Sequence, residues 1–263
     1  MSPAAERARR WAAVAAAGLF GAACVTVVRQ VAVEEAAVEE AAAADVPATE
    51  TGSSSEAPMA SCSPCALHGE VDPQGVTDRA PGTLAGIQVM PLDRAEQAVS
   101  TDSNGTWSLT MPGGLSVVEA RGDAFVPGIA AVPRTWLDDP TRSVRVNVLV
   151  LAETAELHRT KFDTERDPER GFVVVIAVGP TAADVVDAEM TLDLAHPQAF
   201  GITEALVPVP GNRTIFHSQV FFPNTTAGAA NATVVTAKGQ PCLGPRDVPV
   251  RASTVTTIYF DCP

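Results

Sequence analysis

The 263-residue sequence has few aromatic and few basic residues. Phe, Trp and Tyr make up 5% of the chain, and 18 Lys plus Arg stand against 31 Asp plus Glu, which gives a formal net charge of −13. Without a basic patch the chain cannot neutralise nucleic-acid phosphates, so we expect no nucleic-acid partner. So few rings also argue against a deep aromatic-lined pocket. The length allows one large domain or two small ones.

Residues 1–28 form a predicted signal peptide or membrane-anchoring apolar helix. Arginines precede an uncharged, mostly apolar run from Trp11 to Val28, and this layout is typical of an export signal. Within it, Gly21-Ala-Ala-Cys24 resembles a bacterial lipobox, which implies lipidation of Cys24, although Gly21 stands where Leu is preferred. The run is also near the shortest that spans a bilayer. A lipoprotein, an uncleaved anchor and plain secretion remain open, and all three place the body outside the cytoplasm.

A flexible acidic tether is predicted for residues 29–60. This stretch is rich in Ala and Glu, then in Ser, Thr and Pro, and it has no aromatic residue. Ala and Glu favour a marginal helix in its first half, but the composition buries too little apolar surface to fold. We expect a disordered spacer that holds the following domains away from a membrane.

The cysteines are consistent with export. If Cys24 is lipidated, Cys62, Cys65, Cys242 and Cys262 remain, an even number that suits two disulfides in an oxidising compartment. We expect Cys242 to pair with Cys262, which would pin the C-terminus, and Cys62 to pair with Cys65 by default. The spacing alone does not determine this connectivity.

The residues after position 60 predict an all-β body. Short runs with period-two alternation recur between Gly, Pro, Asn and Asp residues. In the clearest run, Val144, Val146 and Val148 alternate with Arg145 and Asn147, as expected for a strand with one buried and one wet face. The predicted strands are 66–72, 86–92, 98–101, 106–111, 116–122, 125–132, 142–151, 172–178, 189–194, 203–209, 213–216, 219–222, 232–237, 248–250 and 254–260.

These strands fall into two groups. We predict two tandem antiparallel β-sandwiches, residues 61–152 and 171–263, the second a diverged copy of the first. The intervening stretch 153–170 is densely charged, and we predict a domain junction there with room for a short edge strand.

Several motifs of the first group occur in a characteristic order. They are Leu67-His-Gly-Glu-Val71, Leu84-Ala-Gly-Ile-Gln-Val89, Ser100-Thr-Asp-Ser-Asn-Gly-Thr-Trp-Ser-Leu109, Pro112-Gly-Gly114 and Ala120-Arg-Gly122. With them, residues 66–151 resemble the carboxypeptidase regulatory-like domain, a seven-stranded prealbumin-type, Ig-like sandwich of exported bacterial proteins. The resemblance implies a non-catalytic accessory module, because the zinc ligands of the peptidase domain have no convincing counterpart.

No catalytic, cofactor or metal site is expected. The histidines are isolated in sequence, and His68 and Glu70 are two apart on a predicted strand. Cys62-Ser-Pro-Cys65 lacks the βαβ context of a redox site, and no fourth zinc ligand follows it nearby. Trp136 with Phe125 is the one candidate ligand face, since Trp11 lies in the signal and Trp107 is predicted to be core.

We therefore expect a non-catalytic structural or binding module, tethered by its N-terminus to a bacterial cell envelope membrane. An envelope protein or a polysaccharide is the expected partner. Two alternatives remain open: a carbohydrate-binding module, and an accessory protein of a hydrolase or peptidase system.

Overall fold

A computed structural model describes residues 64–74, 84–113, 115–180, 185–205 and 207–263. The predicted signal or anchor, the predicted tether, Cys24 and Cys62 all lie outside these residues. Within the described ranges the chain folds into seventeen strands and one α-helix, so the expected all-β sandwich class is confirmed. No helix of this part of the chain is long and apolar enough to cross a membrane.

The strands alternate with short turns along the whole described chain. In the first half they are β1 (Cys65–Gln74), β2 (Gln88–Pro91), β3 (Val99–Ser100), β4 (Thr106–Met111), β5 (Val117–Arg121), β6 (Phe125–Val126), β7 (Gly128–Ala131) and β8 (Val144–Val150). After helix α1 (Thr154–Phe162) come β9 (Gly171–Val178), β10 (Glu189–Leu192), β11 (Phe200–Ile202), β12 (Pro208–Pro210), β13 (Gln219–Thr225), β14 (Gly228–Ala230), β15 (Ala232–Val235), β16 (Val248–Val250) and β17 (Val255–Asp261).

Most predicted strands lie within a few residues of the observed ones, but two do not. The predicted strand 203–209 is replaced by β11 and β12, which flank that segment. The predicted strand 213–216 is not formed, and Arg213 makes only an isolated bridge to Glu189. Both differences occur where the chain forms turns around exposed apolar side chains, so local composition was a poor guide there.

A nine-stranded sheet runs through both halves of the chain, in the order β12-β11-β13-β9-β17-β7-β5-β2-β3. A four-stranded sheet, β4-β1-β8-β6, and the two-stranded sheets β10-β15 and β14-β16 accompany it. The last strand, β17, pairs in parallel with β7 on one side and with β9 on the other. Parallel pairing also joins β1 to β8, so the sheets are mixed rather than purely antiparallel. The division into domains 61–152 and 171–263 stays a prediction, and β17 connects the strands of both.

The first core lies between the four-stranded sheet and strands β2, β5, β7 and β17. Inward-facing residues of β8, such as Val144 and Val146, pack there with Trp107 of β4 and Val118 of β5. Their alternation with Arg145 follows the period of two that a strand imposes. The predicted core position of Trp107, which is 5% exposed, is therefore confirmed.

The second and third cores cover opposite faces of the other half of the nine-stranded sheet. Val173 and Val175 of β9 face the second core, where they meet the two small sheets. Phe172 and Val174 of the same strand face the third core, which includes Leu157 and Phe162 of α1. Because β9 is apolar on both faces, it needs a covering layer on each side.

Helix α1 occupies the charged stretch where we predicted a short edge strand, and that prediction was wrong. Thr154, Leu157, His158 and Phe162 are its buried residues. Relative to Thr154 they lie three, four and eight positions on, which defines one helix face, but the charged residues between them masked the period. The helix ends at Asp163, whose φ of 49° lies in the left-handed region that often terminates helices.

Candidate functional site

The two aromatic residues predicted to form a ligand face are both buried. Trp136 is 3% and Phe125 is 6% exposed. The Trp136 ring lies 5.1 Å from the Tyr259 ring, centroid to centroid, and the guanidinium of Arg142 lies 5.2 Å from the centroid of the Trp136 ring. Phe125 packs in the first core. The expectation of an exposed aromatic face is therefore corrected, because neighbouring side chains cover both rings.

The cysteines within the described residues form disulfides. Cys242 and Cys262 are bonded, with their Cα atoms 4.4 Å apart, which confirms the predicted pairing. Cys65 is also disulfide-bonded. Its predicted partner Cys62 and the predicted lipidation site Cys24 lie outside the described part of the chain, so both assignments stay predictions.

The histidines do not converge. His158 lies on the buried face of α1, with its ring 5.5 Å from that of Phe172, and burial together with the nearby Arg166 charge lowers the pKa of His158 to about 4. Nδ1 of His196 donates to the backbone carbonyl of Leu194 at 2.9 Å. Among the residues that the structure describes, no group of three His, Cys, Asp or Glu side chains is placed to hold a metal ion.

An open cleft of about 1010 Å³ lies where the two halves of the chain meet. The outward face of β1 and β8 forms one wall, and residues 136–143 form the adjoining rim. The end of β9 and residues 217–219 line the opposite side, and Tyr259 of β17 lies between the two. Because both halves contribute, the cleft depends on the pairing of β17 with β9 and β7.

The β1–β8 wall carries two carboxylates and one guanidinium. Glu70 accepts a hydrogen bond of 2.6 Å from Nε of Arg145. Asp72 lies two residues further along β1 and therefore faces the same side. Burial raises the pKa of Asp72, while Arg145 acts in the opposite direction. Among the ion pairs of the described residues, Arg145 bonds to Glu70 and none involves Asp72.

Two amides continue this wall. Gln74 donates to Oδ1 of Asn147 at 3.4 Å, and Nδ2 of Asn147 donates to Oγ1 of Thr257 at 2.9 Å. These bonds connect β1, β8 and β17 in sequence. The position of Asn147 is therefore set by its neighbours on both sides.

Tyr259 closes the free edge of β8 at the base of the cleft. The Arg145 N–H donates to the Tyr259 hydroxyl at 3.0 Å, and the hydroxyl donates to the Arg145 carbonyl at 2.8 Å. Strand β8 pairs with β6 only at its last residues, so the tyrosine satisfies backbone groups that would otherwise lack strand partners. Burial raises the pKa of Tyr259, which keeps the hydroxyl protonated and able to donate.

The rim carries a second guanidinium, that of Arg142, whose charge is balanced by two carboxylates. Arg142 pairs with Asp261 at 3.2 Å and with Asp139 at 4.0 Å, in addition to its contact with Trp136. Hydrogen bonds from Thr141 lower the pKa of Asp139. Across the cleft, the partly buried Ile176 and Val178 offer apolar surface.

Glu70 pairs with Arg145 and Gln74 with Asn147 on this wall, and residues 217–219 bring His217 to the opposite side. Our sequence reasoning did not identify Glu70, Asp72 and Arg145 as one site. The alternation of β1 and β8 placed each on an outward face, but only the parallel pairing of these strands brings them together.

No family model and no curated protein matches this sequence. Solved structures with some similarity include the shaft pilin SpaA from Lactobacillus rhamnosus GG, at 8% identity and a TM-score of 0.21 over 76% of this chain and 98% of that one. The major pilin from Streptococcus pyogenes gives 8% identity and a TM-score of 0.23 over 77% and 98%. The Bacillus anthracis TIE protein gives 12% and 0.21 over 75% and 34%. Scores this low transfer neither the fold nor the role of those proteins.

Proposed function

We propose that the chain is a non-catalytic structural and binding module, tethered by its N-terminus to a cell envelope membrane with its β-rich body outside the cytoplasm. The Cys242–Cys262 disulfide is the observation that carries this proposal. It ties the C-terminal strand to the segment before β16, and disulfides of this kind persist in oxidising compartments. The basic and apolar start of the chain supports the same location.

The likeness of residues 66–151 to the carboxypeptidase regulatory-like domain belongs to this proposal, since such a module would act without chemistry of its own. A protein partner is favoured over a polysaccharide. Sugar-binding sites often use an exposed aromatic ring, and Trp136, the predicted platform, is buried. The cleft instead offers charged and amide side chains.

Cell fractionation with and without globomycin, an inhibitor of lipoprotein signal peptidase, tests the proposal. For a lipoprotein we expect membrane association and a larger precursor in treated cells, and Cys24→Ser should abolish the processing. Membrane association that is unchanged by globomycin and by Cys24→Ser would identify an uncleaved anchor. Release of the protein from the membrane would identify plain secretion. Recovery in the cytosolic fraction with reduced cysteines would overturn the proposal.

A further inference from the structure

The charges of the cleft do not cancel. Arg142 is compensated by Asp139 and Asp261, and Arg145 is compensated by Glu70. Asp72 therefore remains without an ion pair of its own among the described residues, although it hydrogen-bonds to Gln74 and lies within range of the Arg145 charge. One carboxylate on this wall lacks a dedicated positive partner.

The surroundings of Asp72 make a positive partner favourable. Burial raises the pKa of Asp72, which means that the ionised carboxylate has lost part of its hydration. A charge that is already partly desolvated gains more from a counter-charge than one in bulk water does. Because no three metal-ligating side chains converge in the described structure, an organic cation fits this position better than a metal ion.

The rest of the cleft fits a peptide that carries such a cation. Ile176 and Val178 offer apolar surface to an aliphatic stem, and Lys and Arg side chains combine a stem with a charged head. The volume exceeds what a single side chain requires.

We propose that the cleft binds a basic peptide segment of a partner protein, with a Lys or Arg side chain of that segment paired to Asp72. This inference rests on the proposed function, in which the module binds an envelope protein. The net charge of −13 assists the encounter with a basic partner over longer distances. Because Glu70 is already paired with Arg145, the incoming cation pairs with Asp72.

Fluorescence anisotropy on the full chain in detergent micelles tests the proposal. The probe is a fluorescein-labelled peptide of alternating Lys and Val flanked by Gly, and the control peptide has Gln in place of each Lys. We expect saturable binding of the Lys peptide and none of the Gln peptide. Asp72→Asn should weaken binding about tenfold, the loss expected when one charge-assisted hydrogen bond is removed.

Two further variants make the test specific. Asp123→Asn makes the same charge change at an exposed turn outside the cleft and should bind like the parent chain. Arg145→Gln removes the shared positive charge and should tighten binding, since both wall carboxylates then face the peptide. Equal weakening by D72N and D123N, no effect of D72N, or no binding of the Lys peptide would overturn the proposal. Thermal unfolding of each variant checks that it is folded. The fractionation result above is independent, so failure of this site leaves the extracytoplasmic assignment intact.

Discussion

The two halves of the nine-stranded sheet are covered in different ways. In the first half, apolar residues pack against the four-stranded sheet on one face. On the other face, Glu119 of β5 is 2% exposed and is bound by Arg121 at 2.8 Å and by Arg251 at 3.7 Å. In the second half, both faces carry apolar cores. A strand that is apolar on both faces therefore requires a further layer, and α1 supplies it here.

Substitutions in β17, the strand that both halves share, should have the largest effect on stability. Ile258 is fully buried on β17 and faces the second core. Ile258→Asp would place an unpaired carboxylate there, and we expect loss of the native structure in both halves. Ile258→Ala should lower the free energy of unfolding by about 2–5 kcal/mol.

Fluorescence separates the halves, because Trp107 and Trp136 both lie in the first half and the second half has no Trp. In a Trp11→Phe background, the Trp fluorescence and circular dichroism transitions of I258A should shift together. A dichroism transition that moves while the Trp signal stays in place would show that the second half unfolds alone.

Substitution of Phe162 tests whether α1 stabilises the second half by covering one face of its sheet. Its ring lies 5.3 Å from those of Phe172 and Phe200. Phe162→Ala should destabilise the protein by about 3–5 kcal/mol, since it empties the centre of this aromatic group. Lys161→Ala, at the exposed neighbouring position, is the matched control and should stay within about 0.5 kcal/mol. Equal effects of the two variants in urea titration would mean that α1 does not cover this face.

Tyr259 tests the junction between the halves. Tyr259→Phe keeps the ring against Trp136 but removes the hydroxyl that bonds to the N–H and C=O of Arg145. We expect a loss of about 1–3 kcal/mol, because two backbone groups lose their partner. Hydrogen exchange should show faster exchange at the Arg145 amide in particular. Unchanged protection of that amide would contradict this role for the hydroxyl.

His158, on the helix that covers the second half, should make the stability of the protein depend on pH. Its pKa falls from 6.5 to about 4 in the folded chain through burial and the Arg166 charge, so the unfolded chain binds more protons between these values. Stability should be complete above pH 6.5 and decline as the pH falls toward 4, by an amount on the order of 2 kcal/mol. In His158→Phe this decline should be reduced. Urea titrations at several pH values measure it, and an identical slope in both proteins would contradict the assignment.

The sequence predicted local features of the fold better than its long-range pairing. The alternation in 142–151 predicted β8, which the structure has at Val144–Val150. The run Phe172-Val-Val-Val-Ile176 is apolar without alternation, a pattern typical of a strand buried on both faces. This pattern in β9 could have predicted that a further element, here α1, covers its second face.

The cleft could not be predicted in the same way. Glu70 and Arg145 are separated by 75 positions, and their meeting depends on the parallel register of β1 and β8. The burial of Trp136 depends on Arg142 and on Tyr259, a residue far along the chain. Such contacts follow from the tertiary arrangement and leave no periodic trace in the sequence.

The extracytoplasmic location of the body is the central claim, and its lysines offer the most direct test. The chain has Lys161 and Lys238 as its lysines, and both side chains are exposed. A membrane-impermeant amine reagent, applied to cells with an intact cytoplasmic membrane, should modify both as fully as it does after lysis. A Lys161→Arg, Lys238→Arg double variant is the control for modification at other amines. Modification of Lys161 and Lys238 only after lysis would contradict the account.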